Sequence, residues 1–254
     1  MSVVVLAGAG HSPGVTTTAL GLALAWPRPV LLVDADPHPS QSVLAGYLQG
    51  SDPFGKGLWA LLSAHRERRP LAAALDRAVL DLASDDGPAR RFLPGFANPG
   101  MVELFAPVWP EFAAVLGEWE ADVIVDTGRL GNRGLPAALV DEADAVVMVT
   151  RTSLADLVQL RLYLPLVTAV VPDRLSLLLV GPGRPYPAGE IGTQFGVSRV
   201  ESIPWAPDDA EVWSHGAPAG RRFATGGFLK GVRRTASDLA ERLAARQHRI
   251  GAPG

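Results

Sequence analysis

Short, near-continuous apolar runs alternate along the chain with stretches of helical periodicity. Val3 to Leu6 reads as a buried strand, followed by a Gly-rich turn and a helix from about Thr16 to Ala25. Pro27 and Pro29 stop that helix, and Val30 to Val33 makes a second strand that ends in Asp34-Ala35-Asp36-Pro37. A helical stretch follows near Ser40 to Leu48. Residues 50–95 are less regular, broken by Pro, Gly and charge clusters (Arg66 to Arg69, Asp81 to Asp86), with helices expected near 57–64 and 70–83. Regularity returns with a strand around Arg91 to Leu93, a helix within 101–118 and the strand Val123-Ile124-Val125-Asp126. Next come a helix near 135–141, the strand Ala145 to Thr150, a helix at 153–169 and the strand Leu175 to Val180. A short strand near Val200 to Ile203 precedes a helix over Asp208 to Ser214 and a long helix over 229–248. Strands this apolar need cover on both sides. The pattern therefore predicts an α/β fold: a single doubly wound, mainly parallel sheet with helices on both faces. With no internal repeat, residues 1–254 read as one domain, with an irregular helical elaboration at about 50–95.

Composition narrows the chemistry. Apolar residues make up 48% of the 254 positions and charged ones only 19%, enough for a sizeable core. With 23 basic against 26 acidic residues and a net charge of −3, the chain as a whole is no polyanion binder, although a local basic face is allowed. The absence of cysteine excludes disulfides, Cys-ligated zinc, Fe–S clusters and thiol chemistry. Of the 23 basic residues only Lys56 and Lys230 are lysines, which leaves 21 arginines. The apolar N-terminal stretch has no charged leader segment, since the first charge is Arg28 and His11-Ser12-Pro13 interrupts the run. No uninterrupted apolar stretch of about 18 residues occurs, so neither a signal peptide nor a membrane span is expected, and the expected location is the cytoplasm.

In an open α/β sheet, ligands bind at the carboxyl ends of the strands, so the residues just past each strand matter most. After the first strand comes Gly8-Ala9-Gly10-His11-Ser12-Pro13-Gly14-Val15-Thr16-Thr17-Thr18. A Gly-bearing loop that feeds a helix N-terminus aims backbone N–H groups and a positive dipole end at an anion. Two ligand classes use this device. For a dinucleotide, Gly8, Gly10 and Asp34 fit G-x-G-x-x-G and its acid, but Pro13 stands at the third glycine. For a nucleoside triphosphate, Gly14 and Thr16 fit G-x-x-x-x-G-K-[ST], but Val15 stands at the lysine. The loop alone leaves both open, together with a plain structural turn. Asp34, Asp36 and Asp126 at two other strand ends favour phosphate, because carboxylates there and the Thr16 hydroxyl are the set that holds a hydrated Mg²⁺.

Taken in order, these blocks resemble the MinD/ParA family of deviant-Walker-A ATPases, a branch of the P-loop NTPases, and are similar to its degenerate CpaE/TadZ-like members. Ser12-Pro13-Gly14-Val15-Thr16-Thr17 falls where that family has Gly-Val-Gly-Lys-Thr-Thr, and Leu32-Val33-Asp34-Ala35-Asp36-Pro37 looks like its first switch. Ala121-Asp122-Val123-Ile124-Val125-Asp126-Thr127-Gly128 looks like the Walker B strand, and residues 143–150 like the strand that follows it. Ser202-Ile203-Pro204-Trp205-Ala206-Pro207-Asp208, then Gly216-Ala217-Pro218, is similar to the adenine-side loop and the helix after it. The resemblance implies ATP and Mg²⁺ as cofactors. It implies nucleotide contacts from Gly10, His11, Ser12, Pro13, Gly14, Val15, Thr16, Thr17, Trp205, Pro207 and Asp208. Thr16, Asp36 and Asp126 would serve the metal, partly through water, and Asp36 and Asp126 would be catalytic in an active enzyme. It further implies spatial positioning as the role, with a protein partner and a homodimer.

The departures carry as much information. The family's P-loop lysine falls on Val15, and the lysine that reaches across its dimer falls on Gly10; the nearest lysine is Lys56. Pro13 removes one N–H that would face phosphate. The adenine-reading Asn is replaced around Gly181-Pro182-Gly183. One lost charge-assisted phosphate contact costs on the order of 1.5–3 kcal/mol, or about 10- to 100-fold in affinity. The sequence therefore predicts a positioning or partner-binding module with weak or absent ATP hydrolysis. The alternatives are an active ATPase in which Arg129, Arg133 or Arg151 substitutes for lysine, and a dinucleotide-dependent oxidoreductase. The last helix carries Lys230, Arg233, Arg234, Arg242, Arg246 and Arg249 against Asp238 and Glu241, six basic to two acidic, a net of +4. DNA is the partner such a face allows. Its stripe of Leu229, Val232, Ala236, Leu239 and Leu243 suits packing on the sheet better than a membrane, and the Gly-Ala-Pro-Gly tail is short for an anchor.

Overall fold

The computed structural model describes residues 1–10, 12–83, 87–131 and 134–251, with side chains up to residue 247. His11, Asp85, Asp86 and Arg133, and the side chains of His248, Arg249 and Ile250, lie outside that set. Among the described residues eight strands form one sheet: β1 (Val3–Gly8), β2 (Val30–Asp34), β3 (Leu80–Asp81), β4 (Arg90–Leu93), β5 (Asp122–Arg129), β6 (Ala145–Arg151), β7 (Leu175–Val180) and β8 (Val200–Ile203). Their order is β3-β4-β2-β5-β1-β6-β7-β8, parallel throughout except for the β3–β4 pair at one edge. The sheet is doubly wound, with helices on both faces, as in P-loop NTPases.

One face is covered by α1 (Val15–Ala25), α2 (Ser42–Ala45), α10 (Pro207–Ser214) and α11 (Gly227–Gly251). The other carries α3 (Leu58–Arg66), α4 (Leu71–Ala78), α5 (Gly100–Leu104), α6 (Trp109–Gly117), α7 (Ala137–Glu142), α8 (Leu154–Thr168) and α9 (Ala188–Phe195). Alternation along β1 shows why the strands read as solid apolar runs. Val3, Val5 and Ala7 belong to one core and Val4 and Leu6 to the other, all buried. Under α5 and α6, Phe96, Phe105, Trp109 and Phe112 pack mostly edge to face, with Phe105 and Trp109 centroids 4.9 Å apart.

Several elements differ from the sequence expectation. The helix expected over 70–83 ends at Ala78, because Leu80 and Asp81 pair antiparallel with Phe92 and Arg91. The stretch from Ser40 to Leu48 is helical only over Ser42–Ala45, and the helix within 101–118 is broken by a 3₁₀ turn over Ala106–Val108. Helix α9 forms where the sequence pattern predicts no element. In α11, Leu229, Val232, Ala236, Leu239 and Leu243 are buried against α1 and β8, so its apolar stripe is spent within the fold. Among the described residues no helix is long and apolar enough to cross a membrane.

Candidate functional site

The loop from β1 to α1 folds onto its own first glycine. A Cβ at Gly8 would lie 2.7 Å from Val15 Cγ2 and 2.8 Å from Pro13 Cγ, so only glycine leaves room for both side chains. Val15 and Pro13 are correspondingly buried. Ser12 (φ 50°) and Gly14 (φ 92°) adopt left-handed conformations, and Gly14 starts α1 without any side-chain cap. The first N–H groups of α1 therefore lack the usual capping partner and open on the carboxyl end of the sheet. The first turn of α1 also carries no acidic side chain that would occupy this end.

A cavity of about 530 Å³ lies over this helix end. Ser12 to Thr18 form one wall; Asp36, His38, Gly128, Arg129 and Arg151 form the second; Trp205, Ala206, Pro207, Glu211 and Trp213 form the third. Of the residues singled out from sequence, Ser12, Pro13, Gly14, Val15, Thr16, Thr17, Asp36, Trp205 and Pro207 meet at this cavity. Asp126 lies buried beside it. Asp208 sits exposed on the first turn of α10 and is not part of the lining, and neither is Gly10. A Cβ on Gly10 would instead meet Gln159 of α8 at 3.0–3.2 Å. His11 lies outside the described residues.

The carboxylates crowd together. Asp34 and Asp126 are register partners on β2 and β5, and both are buried. Burial, followed by the Asp126 charge, pushes Asp34 up to about 8, although its Oδ1 accepts from Asp36 N at 3.2 Å. Burial likewise pushes Asp126 up to about 6, with Thr16 and the Gly128 N–H (2.8 Å to Oδ1) pulling the other way. Asp126 Oδ2 is buried without a hydrogen bond of regular geometry. Burial also raises Asp36, offset by the His38 N–H, the His38 ring and Arg129. The Asp36 carboxyl rests on Gly128, where a Cβ would fall 2.1 Å from Asp36 Cγ and where φ is +61°.

Two cations, Arg129 and Arg151, line the same space. Arg151, at the end of β6, donates from Nη2 to the Ser12 carbonyl at 2.9 Å, and its buried Nε has no partner. Its guanidinium lies 5.0 Å over the Trp205 ring, and that of Arg184 lies 5.5 Å from the same ring. Sequence reasoning missed His38 and Trp213 of the lining and the contact of Arg184 with Trp205. Trp213 had a signal, since Ala210 and Trp213 stand three residues apart on one face of α10.

The residues fit a hydrated Mg²⁺ better than a direct metal cage. Among the described residues no three His, Asp or Glu side chains gather at metal-ligating geometry. Mg²⁺ keeps several waters and needs only one or two protein oxygens beside phosphate. The unpaired Asp126 Oδ2 and the neighbouring Thr16 hydroxyl suit that role.

No family model matches the chain, and no curated protein matches it. Solved structures do. A ParA family ATPase from Chlorobium tepidum aligns over 93% of this chain and 98% of its own, with 16% identity and a TM-score of 0.74. The cell division ATPase MinD of Pyrococcus furiosus aligns over 95% and 99%, with 19% identity and a TM-score of 0.71. MinD of Pyrococcus horikoshii, solved with Mg-ADP, aligns over 94% and 95%, with 20% identity and a TM-score of 0.69. Across nearly its whole length, the chain has the fold of the MinD and ParA proteins.

Proposed function

We propose that this chain is a degenerate MinD/ParA-like P-loop protein, similar to CpaE/TadZ-like members, that works as a positioning or partner-binding module. It binds Mg²⁺-ATP weakly and hydrolyses it at or near background, and residues 1–254 act as one domain. The observation that carries this reading is Val15. The position that would present a lysine to phosphate is a valine packed on Gly8, while the uncapped helix end, Thr16 and Asp126 around it are retained. Phosphoryl transfer is catalysed chiefly by positioning and charge neutralisation, and carboxylates without a matching cation leave the phosphates poorly neutralised.

In this reading the N–H groups at the start of α1 hold phosphate, Thr16, Asp36 and Asp126 serve Mg²⁺, and Trp205 and Pro207 border the base. Bound Mg²⁺ would supply charge neutralisation at the phosphates. The basic helix offers a DNA or other anionic partner less than its sequence promised. Arg242 is ion-paired with Glu201 and Arg246 donates to the Asp144 carbonyl, leaving Lys230, Arg233 and Arg234 exposed.

One observation favours a second reading, an ATPase with an arginine in place of the lysine. Arg151 already touches the loop and holds a buried, unpaired Nε beside it. Calorimetric titration with Mg²⁺-ATP and with NAD, run beside a steady-state phosphate-release assay, tests both readings. Weak ATP binding without turnover supports the module. Turnover abolished by Asp126→Ala supports the ATPase, and NAD binding in preference to ATP would sink both.

A further inference from the structure

We propose that a second cavity, beside α5 and α6, is a binding site for a small aromatic acid, a flat apolar body that carries one carboxylate or similar anion. The cavity measures about 520 Å³, inside the range of about 300–1,000 Å³ usual for small-molecule sites. It opens at the end of β5 on the side of the sheet that α5 and α6 cover, whereas the cavity over α1 lies on the other side. Among the described residues the two linings share only His38 and Arg129. The proposal therefore stands whether or not the first cavity takes a nucleotide.

The floor specifies the body. Ala35, Phe96, Thr127 and Leu130 are buried in it, and Val102 and Trp109 line it half-buried. Its donors are already spent. The Thr127 hydroxyl donates to the Leu6 carbonyl at 2.8 Å, the Ala35 N–H to the Asp126 carbonyl at 2.7 Å, and the Leu130 N–H to the Gly8 carbonyl at 2.8 Å. A sugar hydroxyl or a peptide group would lose its water there and gain no partner, which selects against both. An apolar ring gains by the same transfer. Phe96 and Trp109 favour a flat one, since aromatic side chains hold a further ring edge to face or offset. The rim specifies the charge. The ionisable residues of the described lining are His38, Glu103 and Arg129. Glu103 is engaged in an interaction of its own, and His38 Nδ1 lies 3.4 Å from Asp36 Oδ1. Arg129 is exposed, makes no hydrogen bond or ion pair among the described residues, and reaches Asp36 only through its field. That leaves a planar guanidinium at the mouth of an apolar cavity, and its fork matches a carboxylate.

Isothermal titration of the full chain with 2-naphthoate, and with 2-naphthamide as its uncharged counterpart, is the test. Wild type is expected to bind naphthoate with a Kd on the order of 0.1 mM, a value open to a ligand of this size. Naphthamide is expected to bind about 10-fold more weakly, for want of the charge-assisted contact. Val102→Trp and, independently, Ala106→Trp fill the cavity and are expected to weaken naphthoate at least ~10-fold, because the space for the rings is taken. Arg129→Gln is expected to bring naphthoate down to the affinity of naphthamide and to leave naphthamide unchanged, a split that a merely structural arginine would not produce. Circular dichroism melts identify a filled variant that unfolds, and the other filled variant then decides. A wild type that does not bind naphthoate would overturn the proposal. So would binding indifferent to both fillings, or naphthoate and naphthamide binding alike.

Discussion

Asp34 and Asp126 stand opposite each other as register partners of β2 and β5, both buried, with burial raising both carboxyls. A carboxyl whose folded pKa exceeds its unfolded value binds more protons when native, so its contribution to stability falls as pH rises between the two values. With Asp34 at about 8 and Asp126 at about 6, the melting temperature is expected to decline from about pH 4, the ordinary carboxylate value, up to about pH 8. Asp34→Asn keeps the oxygen that accepts from Asp36 N and removes the buried charge. It is expected to flatten the decline above pH 6 and to melt higher than wild type at pH 8. Thermal denaturation at constant ionic strength checks this, and an unchanged slope would contradict it.

Asp122 concentrates several donors at the other end of β5. Its Oδ1 accepts from Ser2 N at 2.9 Å, and its Oδ2 accepts from Trp26 Nε1 at 2.8 Å and from Arg28 at 2.6 Å. Asp122→Ala leaves buried donors unpaired and is expected to cost about 2–4 kcal/mol, short of a fully buried ion pair, because Arg28 is 39% exposed. Asp122→Asn keeps an acceptor and is expected to cost less. Urea denaturation measures both, with an unchanged slope showing that the native fold persists.

How much of this was legible depends on whether the signal was local. Parallel strands buried on both faces announce themselves as runs such as Val3 to Leu6, and the loop, Asp36 and Asp126 were placed by motif order. The two-residue β3 was not, because Leu80 and Asp81 continue an apolar spacing that reads as helix until Phe92 and Arg91 supply a partner. Gly189, Gly192 and Gly196 hid α9, since glycine argues against helix where tertiary packing allows it. The Arg151–Trp205–Arg184 stack and the contact of Gln159 with the Gly10 position join residues far apart in sequence, and no local pattern encodes them.

Arg151 is the cation best placed to meet an anion in the cavity, because its Nη2 already anchors it to the loop and its Nε is unspent. Arg151→Ala is expected to lower Mg²⁺-ATP affinity by about 10-fold or more, the loss of one charge-assisted contact. Arg151→Lys should recover part of that, since a point charge lacks the planar fork that spans Ser12 and Trp205. Isothermal titration of the three proteins is the measurement. Equal affinities would mean that Arg151 serves only to fasten the loop.

Val15 sets the last test. Its side chain is 4% exposed and lies against the Gly8 position, so a lysine there must give up apolar packing and send its ammonium along the cavity wall. Val15→Lys is therefore expected to melt below wild type while binding Mg²⁺-ATP about 10-fold more tightly, the gain from one charge-assisted phosphate contact. Turnover should recover only weakly, because Pro13 still lacks its N–H and Gly10 offers no side chain. Adding Asp126→Ala to Val15→Lys should remove part of the gained affinity if the unpaired Oδ2 organises Mg²⁺. Nucleotide titration and Mg²⁺-dependent phosphate release, measured on wild type and both variants, separate the cases. Suppose instead that wild type turns over at about 10⁻² s⁻¹ or faster, the scale of nucleotide switches with their arginine in place, and that Asp126→Ala abolishes it. The site would then be complete as it stands, and Arg151 or Arg129, both on the cavity wall, would hold the lysine's place.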